Sequence, residues 1–472
     1  APTLRVTLAN DPDTVVNLLS LTNILPVVGA TVHDGLLYLL QGVSGTDWPY
    51  LVQATWDGIP SPFKDYGTNQ PPVSLSVYDL AKLPELSLVG QEQAAVTNFN
   101  GGFGQAVWPK PGLLVWSGGS ANWWPIMGGG IRIGGPEVVG GVVSDIFAPW
   151  PWYWGGNGGR LLAFNVENPP IPKFVSEVNL FTNGWWSLSY AYAANGMVYL
   201  SHQANEFIEG VVLQGQLPPA PTIEVDPTTG ETVTNEPPVG IWTQRYYLDV
   251  VDYADPTTPT VRNPVNIPGV LQGISSNGAL LYTKAPHWSA DWTTDWLDWL
   301  DASAYDGVSA HLVDSLQLPK DWPHPLLVFG TNIFIGRPDT STNNNNTLET
   351  WTLSDGGRFV RLGGISLGSA ANDLAAFGDL LAAQTSDGTY RLFDAADLPK
   401  LRLIGADSIS SWIWGDLKHA DGALDRGLWL PLGDYGVRTV TLFSPGQTTG
   451  KSDPGGAPPP VSSGAGLASP AP

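Results

Sequence analysis

One pattern returns along most of this chain: a β-like run, an Asp or Asn, a short turn that usually holds proline, and a second β-like run. It reads "LSVYDLAKLPELSLVG" at 75–90, "LLAFNVENPPIPKFVSEV" at 161–178, "YYLDVVDYADPTTPTVRNPV" at 246–265 and "YRLFDAADLPKLRLIGA" at 390–406. Weaker copies are "WLDASAYDGVSAHLVDSL" at 299–316 and "ETWTLSDGGRFVRLGGI" at 349–365. The segment "LRVTLANDPDTVVNLLSL" at 4–21 reads as a half-copy. A second pattern alternates with the first: two short apolar runs around a turn, as in "LPVVGATVHDGLLYLLQG", "SLSYAYAANGMVYLSHQ" and "LQGISSNGALLYTKA". The turns "HDG", "ANG" and "SNG" are hairpin signals, because Asn, Asp and Gly tolerate the positive φ that tight hairpins need.

A hairpin followed by a turn-linked pair makes a four-stranded unit with a period of about 40 to 50 residues, the range of propeller blades. Seven hairpins can be counted, so the expected fold is all-β, a seven-bladed β-propeller. A β-sandwich array would also supply many short strands; the contiguity of the repeats favours the propeller. The ends are complementary. Residues 437–443 supply a third strand with no fourth, and the N-terminus supplies a strand with no hairpin before it. The expectation is that 437–443 pairs with a strand within 4–21 and removes the open edge.

The runs "DVVDYADPTTPTV" and "AFNVENPPIPKFVSEVNL" resemble the LVIVD-type repeats of secreted bacterial β-propellers. As a repeat plan the resemblance covers residues 1 to 445. It implies the fold and an exported, surface or periplasmic setting, and it carries no catalytic residue. "LAKLPEL" and "AADLPKL" depart from it by losing one proline, and the copies at Gly307 and Gly356 lose both.

The propeller is expected to span 1–444, with insertions at about 43–73, 119–159, 204–243, 286–300 and 337–348, and a Pro/Gly/Ser/Ala-rich tail at 445–472. Each insertion joins the second strand of a blade to its third, so all are expected on one face as a Trp/Gly-rich cap. More than half of the 21 tryptophans fall in these segments, "WPWYW" at 150–154 among them. A cap without long ladders needs large flat side chains to supply buried area. Exposed ones would instead serve as stacking platforms for a partner loop or a sugar ring. The candidate binding residues are Trp123, Trp124, Trp152, Trp154, Trp288 and Trp292.

Chemistry is sparse. The six histidines, His33, His202, His287, His311, His324 and His419, are scattered, with no HExxH, so no metal site is assigned. No nucleophile elbow, P-loop or dinucleotide fingerprint appears, and no catalytic residue or cofactor is assigned. The acids Asp291, Asp295, Asp298, Asp301 and Asp306 offer a glycosidase pair. The plainer reading is a short amphipathic helix, with Trp292, Trp296 and Trp299 on one face. Asp79, Asn165, Asp252 and Asp394 end four third strands and are read as turn caps.

A net charge of −22 disfavours nucleic acid and anionic membrane surfaces. No apolar run reaches the roughly 20 residues of a membrane span. The opening "APTLRV" fits a protein processed after export, or an engineered start, and the lack of cysteine is compatible with the cytosol, a periplasm or a cell surface. The functional expectation is a non-catalytic exported propeller that binds a protein partner, or itself, through cap and tail in a bacterial envelope or surface complex. The alternative is glycan binding or glycoside cleavage at the cap.

Overall fold

A computed structural model describes residues 3–8, 11–20, 27–42, 72–96, 99–100, 106–120, 124–125, 154–156, 159–180, 186–187, 191–210, 222–225, 232–235, 240–287, 297–320, 324–339, 346–409, 417, 420–432 and 437–443. They form a seven-bladed β-propeller: six blades have four strands, with the first broken in two in blade two and the fourth in blade three, and the seventh has three. Blade one, for example, runs Val27–His33, Leu36–Gln41, Val73–Asp79 and Ser87–Ala94, each antiparallel to the next. The first strands of successive blades lie beside one another, so they surround the centre of the ring.

Each sheet buries both of its faces. The second strand of blade six, Leu380–Thr385, is buried at every position. Such strands read as continuous apolar runs instead of alternating ones. Six apolar clusters each join two neighbouring blades. Leu40, Leu75 and Val77 of blade one pack with Trp116, Leu162 and Phe164 of blade two. Leu113 and Val115 of blade two pack with Val198 and Leu200 of blade three. The same arrangement continues round to blade seven, whose Leu428 and Val440 pack against Leu380 and Leu392 of blade six.

The turns follow the sequence. Asp34 and Gly35, and Asn195 and Gly196, have positive φ, as tight hairpins require. Asp79, Asn165, Asp252 and Asp394 cap their turns as expected, each accepting a hydrogen bond from the backbone N–H two residues on, at 2.8 to 3.1 Å. The Leu83–Pro84 and Leu398–Pro399 bonds, in the two copies with a single proline, are cis.

These turns also explain a small residue that recurs in the fourth strands. A Cβ at Gly90 would stand 2.3 Å from the carbonyl oxygen of Pro169, in the proline turn of blade two. Gly363 faces Pro399 of blade six in the same way, at 3.1 Å. Ser176 occupies the matching place in blade two, and its hydroxyl donates to the Pro256 carbonyl of blade three at 2.7 Å. The proline turns of blades two, three and six therefore rest on the outer strand of the blade before them.

Two expectations are corrected. Residues 437–443 do not pair with the N-terminus. Val437–Val440 pairs with Gly427–Pro431 alone, and the chain then crosses to blade six, where Leu442 bridges Gly405 and Phe443 N–H donates to Ile404 at 2.7 Å. The N-terminal strands Thr3–Leu8 and Asp11–Ser20 pair with each other. They join the ring by packing: Leu4 and Leu19 cover Leu39 and Tyr78, the face of blade one that a preceding blade would bury. The hairpin satisfies its own backbone and leaves only its apolar side to be covered. The second correction concerns the expected helix around Trp299. Asp298–Tyr305 is the third strand of blade four, hydrogen-bonded to Leu280–Pro286 and Ala310–Gln317. Ladder partners on both sides make Trp299 a strand residue, while Trp292, Trp296 and the rest of the expected helix lie outside the described residues.

Insertion boundaries shift as well. In blade three the ladder between the second and third strands continues from Met197 opposite Asp252 to Glu209 opposite Gly240, through the start of the expected insertion. Within the cap, Trp124–Pro125 pairs with Trp154–Gly156, which pairs with Trp186–Ser187 ahead of blade three. The tail from 445, the remaining parts of the insertions and most contacts among them lie outside the described residues.

Gly90→Ala is expected to lower unfolding free energy by about 1–3 kcal/mol, since backbone must move to admit the methyl group. Ser176→Ala should cost about 1 kcal/mol, one hydrogen bond. Urea titration of both variants measures this, and a Gly90→Ala protein as stable as the parent would refute the packing argument.

Candidate functional site

Aligning the blades by the register between their second and third strands exposes a position three residues before the partner of each second strand's first residue. It holds Ser76, Leu162, Asp249, Asp301, Glu349 and Arg391 in blades one to six, opposite Leu39, Trp116, Leu200, Thr283, Ile335 and Ala383. Blades three, four and five thus carry an acid at the same place, with Asp249 1%, Asp301 0% and Glu349 5% exposed. A carboxylate so buried needs a partner, and each has one.

In blade three, His202 Nδ1 lies 2.6 Å from Asp249 Oδ2. Burial pushes the Asp249 carboxyl up to about 6, against the opposing pull of His202. The imidazole stacks on Tyr247, with ring centres 5.2 Å apart. The Tyr247 hydroxyl donates to Glu206, whose other oxygen meets Arg245 Nε at 3.2 Å. A line of polar groups thus runs from the buried blade to the half-exposed arm above it.

In blade four, His287 Nε2 lies 2.8 Å from Asp301 Oδ2 and stacks parallel on Trp299, at 4.8 Å and 4°. Ser315 donates to Asp301 Oδ1 at 2.5 Å. The acid therefore sits between serine and histidine. A nucleophilic triad needs the histidine in the middle, so this group positions a ring and does not activate the hydroxyl. On the other face of the strand, Asp298 Oδ2 meets His324 Nε2 at 3.0 Å and Lys284 Nζ at 3.3 Å. Burial lowers the Lys284 pKa while Asp298 pulls it up. Burial raises Asp298, but hydrogen bonds from His324 and the Lys284 charge outweigh it and hold it below the ordinary range.

Asp298 and Asp301 point to opposite faces of one strand, because side chains alternate. They cannot flank a common glycosidic bond. Asp306 caps the next turn through the N–H groups of Val308 and Ser309. Asp291 and Asp295 lie outside the described residues. Among the described residues no group of three or more His, Asp or Glu is arranged to hold a metal ion.

Of the candidate tryptophans, Trp124 and Trp154 lie on adjacent strands of the small cap sheet, where Trp124 is opposite Gly155 and Pro125 opposite Trp154. Trp123, Trp152, Trp288 and Trp292 lie outside the described residues. Sequence reasoning missed the series of buried acids. The signal was present: the acid falls three or four residues before the end of the third strand in three consecutive repeats.

Several solved structures align with most of this chain at low similarity. The periplasmic gluconolactonase of Pseudomonas aeruginosa aligns over 80% of this chain and 84% of its own, with 10% identity and a TM-score of 0.40. A putative 6-phosphogluconolactonase from Bacteroides fragilis aligns over 80% and 83%, with 8% identity and a TM-score of 0.37. The computationally designed Ika8 protein aligns over 89% and 97%, with 9% identity and a TM-score of 0.37. Likeness at this level says nothing about activity. No protein-family model and no curated protein matches the chain. The class that the fold defines is the seven-bladed β-propeller, with an asymmetric pattern of long connections.

The pH dependence of Asp249 is testable. Its folded-state pKa lies above the ordinary value, so its stabilising contribution is complete below the ordinary carboxylate range and is lost as pH rises through about 6. Asp249→Asn removes this titration. The stability of the variant relative to the parent should rise as pH goes from about 4 to about 6. Chemical denaturation at several pH values reads the difference, and a constant difference across the range would overturn the assignment.

Proposed function

We propose that this protein is an exported propeller that works by binding, docking a protein partner or a second copy of itself through its insertion-bearing face. The observation that carries the reading is the one-sided elaboration of the ring. Turns between first and second strands, and between third and fourth, are tight and capped. The long connections of blades one to four all join second to third strands, at 42–72, 121–158, 210–239 and 287–297. Loops tolerate length on any face; confining it to one marks that face as the working one.

In this reading Trp123, Trp124, Trp152, Trp154, Trp288 and Trp292 supply contact area, and the acidic body discourages nucleic acid and anionic lipid. No helix among the described residues is long and apolar enough to cross a membrane. The Pro/Gly/Ser/Ala-rich tail has too little apolar surface to fold alone. It is proposed to add an extended segment to the assembly.

Deleting residues 446–472 should leave the melting temperature within about 2 °C and weaken self-association or partner co-purification. Trp152→Ala and Trp288→Ala should weaken association without lowering the melting temperature by more than a few degrees. Light scattering and native co-purification beside melting curves measure both. A protein that stays monomeric and unpartnered in every fraction, while its cap binds a glycan, would replace this reading with the carbohydrate one.

A further inference from the structure

Blade five holds an arrangement that the docking reading does not use. Glu349, on the third strand Thr347–Leu353, is 5% exposed. Its Oε1 meets Arg337 Nε at 3.1 Å and Arg361 Nε at 3.1 Å. Trp351 Nε1 donates to its Oε2 at 3.0 Å. Arg337 ends the second strand, Asn332–Arg337, and Arg361 lies on the fourth, Phe359–Ser366.

Two guanidiniums therefore share one carboxylate oxygen, and the group carries a net positive charge. This reverses the stoichiometry of the chain, where 43 acids face 21 basic residues. Arg160, Arg262, Arg402 and Arg438 each have a carboxylate of their own. Among the described residues, Glu349 is the one acid paired with Arg337 or Arg361. A guanidinium carries five N–H donors in a planar fork. Held through Nε, each keeps Nη donors for another acceptor. The two side chains are 42% and 49% exposed, so those donors are within reach of a ligand.

The site is also built. A Cβ at Gly364 would stand 2.9 Å from Arg361 Nη2 and 3.2 Å from the Leu348 carbonyl oxygen, so glycine leaves the space into which the Arg361 guanidinium folds back. Arg358, on the turn just before this strand, instead extends to Asp314 at 2.9 Å and is 77% exposed. A buried anchor fixes the fork before any ligand arrives, which lowers the entropy lost on binding.

We propose that Arg337 and Arg361, positioned by Glu349, form a binding site for an oxyanion group, a phosphate or carboxylate carried by a small ligand. The site stands independently of the docking reading. Isothermal titration of the full chain at low salt, with inorganic phosphate in one arm and acetate in another, tests it. Saturable one-to-one binding in at least one arm is expected, and the stronger arm identifies the group. Arg337→Gln and Arg361→Gln should each weaken it at least about tenfold, which corresponds to about 1.4 kcal/mol. Arg402→Gln, which alters an unrelated ion pair, should retain it. Arg361→Lys keeps a cation beside Glu349, so it guards against loss of folding, and it should still weaken binding because an ammonium lacks the planar fork. Melting curves accompany each variant. No saturable heat in either arm, undiminished binding in both folded arginine variants, or an equal loss in Arg402→Gln would overturn the proposal.

Discussion

The blade sheets of this protein carry apolar residues on their faces, and these are covered by neighbouring elements and not from within the blade. Burial against the neighbour on each side is what makes the repeat a ring. Leu75 and Trp116, Leu113 and Val198, and Leu348 and Phe393 meet only because adjacent blades stack. The same constraint dictates what happens at the ends. Blade one has a face with no sequence-adjacent blade before it, and the N-terminal hairpin covers it with Leu4 and Leu19. Apolar packing closes that seam, where a shared strand was the expected device. Hydrophobic burial is proportional to area and indifferent to direction, so a hairpin with its own ladder serves as well as a seventh-blade strand.

The turns rest on the same geometry. Because the proline turns of blades two, three and six lie on the outer strand of the preceding blade, that strand must offer glycine or a hydroxyl there, as Gly90, Gly363 and Ser176 do. This contact leaves little room for elaboration on the turn side. Length has accumulated where the second strands end, away from the packing that locks the blades together.

Asp249, Asp301 and Glu349 occupy one repeat position but take different partners: a histidine, a histidine with a serine, and two arginines with a tryptophan. An ionised group at such a depth is tolerated only when paired, and breaking a pair leaves an uncompensated charge. Three blades built alike at this point present three different electrostatic environments, and only that of blade five carries excess positive charge.

The repeat, the seven blades, the turn caps and the side on which long connections emerge were legible in the sequence, because turn chemistry and apolar runs are local signals with a fixed period. The histidines looked scattered because their acids are far off along the chain: His202 and Asp249, or His324 and Asp298, come together only through strand pairing and blade connection. Trp299 looked helical because spacing alone cannot register a ladder with strands on either side. Sequence determined the repeat, its turns and the connections that carry length. Only the tertiary structure decided which acids are buried and what neutralises them, since charge pairing depends on distance across the fold and not along the chain.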